Sequence, residues 1–241
     1  MKWLEERVGD VEIFRPDDAP DGVTLAFSGR GHAPEGESAP TAFLARRLAA
    51  ALGLDGTPVH WARQVHGAAV ETRGEAPRGS ASNAGECDAL ATAAPGVAVV
   101  VQTADCVPAL LAGPGAVGAA HAGWRGSAKG VVGAAVAALS RLGAPPASLS
   151  AWIGPAIGAC CYEVGGDVAA QFAGEFVRRG CGGAFMLDLK AANAAQLEAA
   201  GVPRAAIRVH PACTRCGGER FASWRRDGVR AGRMIALISR I

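Results

Sequence analysis

The chain has 241 residues, of which 50% are hydrophobic and 19% are charged. This length and balance indicate a folded globular protein and exclude a disordered one. The net charge is +2 and the 24 lysines and arginines are scattered, so the sequence lacks the basic patch of a nucleic-acid-binding protein.

Helices and short apolar strands alternate along the chain. In chain order the predicted elements are a helix over 41–52, an exposed loop over 74–85, strands over 97–101 and 116–120, a helix over 127–142, a strand over 150–153, helices over 167–179 and 188–200, and strands over 206–209 and 234–238. Glycine stops and aspartate caps delimit the helices, and continuous apolar runs suit strands that are covered on both faces. We therefore predict one α/β or α+β domain over 1–241, a layered sandwich of mixed sheets with helices.

The sequence has neither the apolar run of a membrane helix nor the pattern of a signal peptide. No run reaches the roughly 20 apolar residues that a membrane helix needs, and the charged start of the chain differs from a signal peptide. Seven cysteines, an odd number, fit a reducing compartment in which disulfides are rare. We expect a cytoplasmic protein with no membrane partner, and the oligomeric state is left open.

Reactive side chains stand beside the ends of predicted strands, where rigid scaffolds commonly carry functional groups. His66, Cys106 and His121 are a suitable ligand set for zinc, and three protein ligands leave a fourth position open, as in catalytic sites. Their spacings match no local metal motif. The alternative interpretation makes Cys106 a nucleophile, with one histidine as its base and the other as an orienting group.

The remaining cysteines offer a weaker signal. Cys213 and Cys216 form a Cys-x-x-Cys pair, which suits redox or zinc chemistry. A four-cysteine zinc site would require a second pair at similar spacing, and the adjacent Cys160 and Cys161 do not provide one. The spacing therefore disfavours such a site.

Several ordered blocks resemble the peptidoglycan-editing-factor family, also called the laccase-domain or polyphenol-oxidase family, some of whose members are described as purine nucleoside phosphorylases. The blocks run from about Val59 to the C-terminus: QVHG at 64–67, CDAL at 87–90, TADCVP at 103–108, AHAGWRG at 120–126, IGPAIG at 153–158, CYEVG at 161–165, CT at 213–214 and FASWRRD at 221–227. Residues 1–58 match least. Arg30 aligns with an arginine of the family, whereas Ala45 stands where the family has asparagine.

The resemblance implies a mixed α/β sandwich in which His66, Cys106 and His121 hold one zinc ion, with copper as the alternative metal in older descriptions of the family. It also implies purine nucleosides and phosphate as partners. The implied reactions are phosphorolysis of adenosine, inosine, guanosine and methylthioadenosine, and deamination of adenosine.

Deamination by hydroxide on zinc needs a group that transfers protons. Asp105 and Glu163 are the two acidic candidates in the blocks. If a strand extends through Cys106, the Asp105 side chain points to the opposite face, and for that reason we prefer Glu163.

Phosphorolysis needs an anion site. Arg125 is the first candidate because a guanidinium binds oxyanions in a bidentate fashion and because a predicted helix begins beside it. Its alternative role is a surface arginine stacked on Trp124. Arg30 is the second candidate, and Gln64 completes the predicted substrate-binding residues.

Three other functions stay open: a Cys-His or zinc hydrolase that edits cell-wall precursors, a copper-dependent polyphenol oxidase, and a non-enzymatic zinc-binding partner protein. A multicopper oxidase needs many histidines, and the chain has five. A purely structural zinc site would normally close the coordination position that His66, Cys106 and His121 leave open.

Overall fold

Two large β-sheets face each other, and helices cover their outer sides. The computed structural model describes residues 2–241. The strands are β1 (Trp3–Val8), β2 (Val11–Pro16), β3 (Val23–Ser28), β4 (Val59–Arg63), β5 (Val70–Arg73), β6 (Ala81–Glu86), β7 (Ala89–Thr92), β8 (Val97–Thr103), β9 (Val107–Gly113), β10 (Ala116–Ala122), β11 (Ser150–Ile153), β12 (Glu163–Val164), β13 (Val177–Arg179), β14 (Phe185–Leu187), β15 (Ile207–Val209) and β16 (Met234–Arg240). The helices are α1 (Pro40–Ala51), α2 (Trp124–Ala128), α3 (Val131–Arg141), α4 (Gly166–Ala169), α5 (Leu189–Ala199) and α6 (Trp224–Asp227), joined by short 3-10 turns.

Both large sheets contain parallel and antiparallel pairs. The seven-stranded sheet has the order β1-β2-β3-β16-β8-β4-β6, and the six-stranded sheet has the order β15-β11-β9-β10-β7-β5. In the first, β8 is antiparallel to β16 and parallel to β4. In the second, β10 is antiparallel to both β9 and β7, while β5 runs parallel to β7. The predicted mixed α/β class is confirmed.

The main core lies between the two sheets. Phe27, Leu110 and Trp152 belong to this layer and are essentially inaccessible to solvent. Strand β8 shows how its apolar run is used: Val99 and Val101 face the opposite sheet, whereas the alternate residues face α1. Because successive side chains of a strand point to opposite faces, a strand buried on both sides has to be apolar throughout.

Most predicted elements are confirmed. All five predicted strands are present, in β8, β10, β11, β15 and β16. The helices over 41–52 and 188–200 correspond to α1 and α5, and the Asp188 carboxylate caps α5 by accepting a hydrogen bond from the Ala191 amide at 3.0 Å. No helix within residues 2–241 is both long and apolar enough to cross a membrane.

Two predicted helices are wrong in extent. The helix over 127–142 is interrupted at Gly130, whose φ of 77° lies in the left-handed region, so α2 and α3 are separate. The range 167–179 is α-helical only in α4 and contains a short 3-10 turn at Gly174–Phe176. Gly174 weakens its middle, and Val177–Arg179 instead pairs with β14 in a three-stranded sheet.

The predicted loop over 74–85 is wrong at its end. Residues 81–86 form β6, an edge strand parallel to β4. Its small and polar side chains carry no apolar alternation, so the strand is specified by pairing with β4 rather than by its own sequence.

Candidate active site and metal centre

Three loop and strand-end positions bring His66, Cys106 and His121 together. His66 follows β4, Cys106 lies in the turn between β8 and β9, and His121 lies near the end of β10. One ligand atom from each residue lies within 4.8 Å of the other two. The Cys106 Sγ and the His66 Nε2 are 3.9 Å apart. The structure therefore forms a candidate metal site from residues that lie far apart in sequence.

The donor atoms and their surroundings fit a metal ion. In a tetrahedral site with Zn–N of about 2.0–2.1 Å and Zn–S of about 2.3 Å, nitrogen and sulfur lie about 3.6 Å apart, close to the separation seen here. Because Gly123 has no side chain, the candidate ligands have room beside it. A Cβ at that position would lie 2.7 Å from His66 Cδ2 and 3.0 Å from Cys106 Sγ, so any larger residue would displace the ligands.

A fully buried carboxylate, Asp88, organises this site. Its oxygens accept hydrogen bonds from the amides of Val65, His66 and Gly67 at 3.1, 2.9 and 2.6 Å. It also pairs with His121 Nδ1 at 2.8 Å, which leaves Nε2 as the nitrogen available to a metal. A carboxylate behind a ligating histidine fixes the ring and raises its basicity. Asp88 thus holds both histidine-bearing segments in place.

The pKa values of Cys106 and His121 depend on each other and on their buried surroundings. Burial opposes ionisation of the Cys106 thiol, but the adjacent His121 and His66 outweigh it and lower the thiol's pKa. Burial likewise disfavours protonated His121, but its contacts with Asp88 and Cys106 raise its pKa. His66 has a φ of 57°, a conformation that non-glycine residues rarely adopt and that is common at functional sites. The site favours a thiolate at Cys106.

A cavity of about 440 Å³ opens over the cluster, within the range of about 300–1,000 Å³ that is typical of small-molecule sites. Its lining comprises the three candidate ligands and Gln64, Gln102, Thr103, Ala104, Asp105, Ile157, Tyr162, Trp224, Arg225 and Arg233. Among the residues that the structure describes, neither Arg225 nor Arg233 forms an ion pair with a carboxylate. The cavity therefore joins a candidate metal site to two guanidinium groups whose described hydrogen bonds go to backbone carbonyls, of Glu163 and of Gly232.

The predicted substrate-binding residues are placed differently from one another. Gln64 lines the cavity, where its amide exchanges two 2.8 Å hydrogen bonds with the Gln102 backbone. Arg125 is exposed and does not line the cavity; its guanidinium lies 4.2 Å above the Trp124 ring. The structure does not bring Arg30 to this site. Arg30 lines a separate cavity and is bound by Glu219 and by the Arg230 carbonyl.

The structure places only one of the two acidic candidates, Asp105, at the cavity. Strand β8 ends at Thr103 and β9 begins at Val107, so the assumption of a continuous strand through Cys106 is wrong. Asp105 lies in the intervening turn with a φ of 83° and lines the cavity. Its oxygens accept hydrogen bonds from the Thr214 hydroxyl at 2.6 Å and the Arg225 amide at 2.7 Å. Glu163 is exposed on β12 and does not line the cavity.

The other three histidines belong to no candidate metal cluster among the described residues. His60 is buried and contacts the Ser82 hydroxyl through Nδ1 at 2.6 Å. His210 packs edge-to-face against Trp3 and Phe14. The His32 ring accepts a hydrogen bond from the Arg30 guanidinium. Within residues 2–241 the histidines therefore form a single candidate metal cluster.

Asp88, Tyr162, Trp224, Arg225 and Arg233 are site residues that the sequence analysis did not select. The first four lie inside blocks that carry the family resemblance, so that signal was available for them. Arg233 lies outside every block. It reaches the cavity because the chain forms a bridge between Gly31 and Arg233 just before β16.

The Asp88→Asn variant tests the organising role of this carboxylate. We expect metal affinity at the site to fall about 10–100-fold, because a neutral amide is a poorer partner for His121 and for the three backbone amides. A competition titration with a zinc chelator measures the change. Unaltered affinity would show that Asp88 serves only the loop conformation.

The fold and the site together define a mixed α/β protein with a three-ligand candidate metal centre beneath a small-molecule cavity. The chain belongs to the family described as multi-copper polyphenol oxidoreductase laccase, whose model matches residues 38–241.

Its relatives carry nucleoside-related names. A purine nucleoside phosphorylase of Deinococcus radiodurans is 44% identical over 83% of this chain and 77% of the relative. Adenosine deaminase RL5, from an unknown prokaryotic organism, is 37% identical over 80% of this chain and 79% of the relative. The crystal structure of YlmD from Geobacillus stearothermophilus matches with a TM-score of 0.83 and 33% identity, covering 99% of each chain. These names support an enzyme that processes nucleosides.

Proposed function

We propose that this protein is a zinc-dependent enzyme that phosphorolyses adenosine, inosine, guanosine and methylthioadenosine and deaminates adenosine. The observation that carries the proposal is the composition of the one cavity. Its lining combines the candidate metal cluster of His66, Cys106 and His121 with Arg225 and Arg233, which form no ion pair with a carboxylate within residues 2–241. The relatives' names support the same reactions.

Zinc at this site would lower the pKa of a bound water molecule to around 7 and so supply hydroxide for deamination. The chain's part in that reaction is to hold the purine and to move protons while water replaces the amino group and ammonia leaves. We assign the proton transfer to Asp105, because its carboxylate is at the cavity wall. Each of its oxygens keeps a second lone pair beyond the bond to Thr214 or Arg225.

In phosphorolysis, phosphate attacks C1′ of the ribose, the glycosidic bond breaks, and ribose 1-phosphate and the free base are released. Two guanidinium groups suit the phosphate because each can donate two parallel hydrogen bonds to its oxygens. We assign this task to Arg225 and Arg233. Arg125 stacks on Trp124 outside the cavity lining, and we give it at most a supporting role.

The aromatic residues that line the cavity are suited to binding the purine base of a nucleoside. Tyr162 lines the cavity, and burial raises the pKa of its hydroxyl to about 12, so the hydroxyl stays a neutral hydrogen-bond donor. Trp224 also lines the cavity and is 52% exposed, which leaves one ring face free for stacking on a purine.

Phosphate dependence tests the proposed function. Inosine incubated with the purified protein should yield hypoxanthine and ribose 1-phosphate only when phosphate is present, as measured by chromatography. Release of free ribose without phosphate would mean hydrolysis. No reaction with any of the four nucleosides, together with turnover of a phenol, would overturn the proposal.

Asp105→Asn and Glu163→Gln distinguish the two acidic candidates. Asp105→Asn should slow adenosine deamination by about 10²–10⁴-fold, the usual contribution of a general acid–base group. Glu163→Gln removes an exposed carboxylate outside the cavity lining and serves as the matched control, with little change in rate. The reverse order would return the proton-transfer role to Glu163. Thermal melting of both variants checks that each is folded.

A further inference from the structure

A second group of sulfur atoms lies outside the proposed active site. The Sγ atoms of Cys160, Cys161, Cys213 and Cys216 all lie within 4.8 Å of one another. Cys160 Sγ is 3.7 Å from Cys161 Sγ and 3.8 Å from Cys216 Sγ. In a tetrahedral site with Zn–S of about 2.3 Å, neighbouring sulfurs are about 3.8 Å apart. The spacing in the sequence disfavours a four-cysteine site, but the fold brings the adjacent pair and the Cys-x-x-Cys pair together.

Backbone amides beside this cluster stabilise a thiolate at Cys213. The Gly158 amide donates to Cys213 Sγ at 3.2 Å, and the amides of Arg215 and Cys216 face the same sulfur. The space beside Gly158 is tight, since a Cβ there would lie 3.1 Å from Cys213 Cβ and 3.3 Å from Cys160 Sγ. Amide donors to sulfur favour the charged form that binds metals.

A buried cation accompanies the cluster. The Lys190 ammonium donates to the carbonyls of His210, Pro211 and Ala212 at 2.8, 3.3 and 3.1 Å, directly before Cys213. Burial lowers the pKa of the Lys190 ammonium, and negative charge on the nearby cysteines would oppose that shift. Four thiolates outweigh the charge of a divalent ion, so a filled site would be anionic, and Lys190 is placed to compensate it.

We propose that Cys160, Cys161, Cys213 and Cys216 bind one zinc ion in a closed, structural site, separate from His66, Cys106 and His121. Zinc is the metal that four tetrahedral thiolates typically hold, and four protein ligands leave no open position for a substrate. This site does not depend on the function proposed above, because its metal content is measured without substrate.

The site joins a segment that lines the cavity through Ile157 and Tyr162 to a second segment that lies behind the lining. The first follows β11 and ends in Cys160 and Cys161, immediately before Tyr162. The second begins at Cys213, which bridges to Ala156, and the Thr214 amide donates to the Ala156 carbonyl at 3.0 Å. Since the Thr214 hydroxyl binds Asp105, the metal would hold Tyr162 and Asp105 in place at once.

Elemental analysis of the purified protein under reducing conditions tests this inference. We expect two zinc ions per wild-type chain, one in Cys216→Ser, one in Cys106→Ala and none in the double variant. Cys216 is exposed, so its replacement disturbs packing little. Cys87→Ala is the matched control, because it removes a buried cysteine that belongs to neither cluster, and it should retain both ions.

Cadmium NMR of wild-type protein, reloaded after chelation, gives a second measurement that needs no variant. Two resonances are expected, one of them in the position of a tetrathiolate site. A single zinc per wild-type chain that is lost in Cys216→Ser and kept in Cys106→Ala would still uphold the inference, and would count instead against a metal at His66, Cys106 and His121. Undiminished zinc in Cys216→Ser would overturn the inference. So would the absence of a tetrathiolate signal, or an intact mass that shows a disulfide among these cysteines in untreated protein. If Cys216→Ser does not fold, the cadmium spectrum decides.

Discussion

Replacing Cys106 with alanine is expected to remove the metal from the His66–Cys106–His121 site and to slow both nucleoside reactions by more than about a hundredfold. A residue that merely orients a ligand typically contributes 10–100-fold to metal affinity or activity, and Cys106 would be a ligand itself. Its thiolate is the anionic donor of the set. Without it, His66 and His121 alone would have to hold the ion.

The measurement combines zinc content with turnover of adenosine and inosine for Cys106→Ala, His121→Ala and the Cys87→Ala control. Zinc should fall by one equivalent in the first two variants, and the control should keep its metal. Full occupancy of the site in Cys106→Ala would refute its role as a ligand. Loss of metal with unchanged phosphorolysis would show that phosphorolysis needs only the cavity and its arginines.

The second large effect concerns phosphate. Arg225→Ala and Arg233→Ala are each expected to weaken phosphorolysis about ten- to a hundredfold, since a charge-assisted hydrogen bond contributes about 1.5–3 kcal/mol. Deamination uses no phosphate and should suffer less, and zinc should stay bound. Arg125→Ala should have a smaller effect, because Arg125 stacks on Trp124 outside the cavity lining.

The comparison requires both reactions on one preparation of each variant, with saturation curves for phosphate. Arg141→Ala, an exposed arginine at the end of α3, is the matched control. An equal loss in both reactions would mean that the arginine binds the nucleoside or supports the fold. A larger loss in Arg125→Ala than in Arg225→Ala or Arg233→Ala would move the phosphate site to Arg125.

The sequence was informative wherever side-chain chemistry alone sets the outcome. The run that forms β8 had to be buried on both faces. Cys106 and His121 could be selected because each follows a predicted strand, and His66 because it lies in a block that carries the family resemblance. Asp88 could not be selected in this way. Its role arises from hydrogen bonds to three amides and to His121, and those contacts exist only once the loop after β4 meets β10.

Predictions that depended on local spacing failed where tertiary contacts decide. The preference for Glu163 over Asp105 depends on a strand that continues through Cys106, but a turn with positive φ at Asp105 directs its side chain to the cavity wall. The cysteine pairs meet because the bridge between Ala156 and Cys213 closes a long stretch of chain. Arg225 and Arg233 likewise reach the cavity through the packing of distant segments.

Reconstitution of metal-free protein tests the central claim most directly. Chelator-treated protein is divided, loaded with zinc or copper, and assayed with adenosine in the presence and absence of phosphate and with a phenolic substrate. We predict that zinc restores the formation of inosine without phosphate and of adenine with it, and that neither metal produces phenol oxidation. Copper-dependent phenol oxidation with no nucleoside turnover in the zinc-loaded protein would contradict the proposed function.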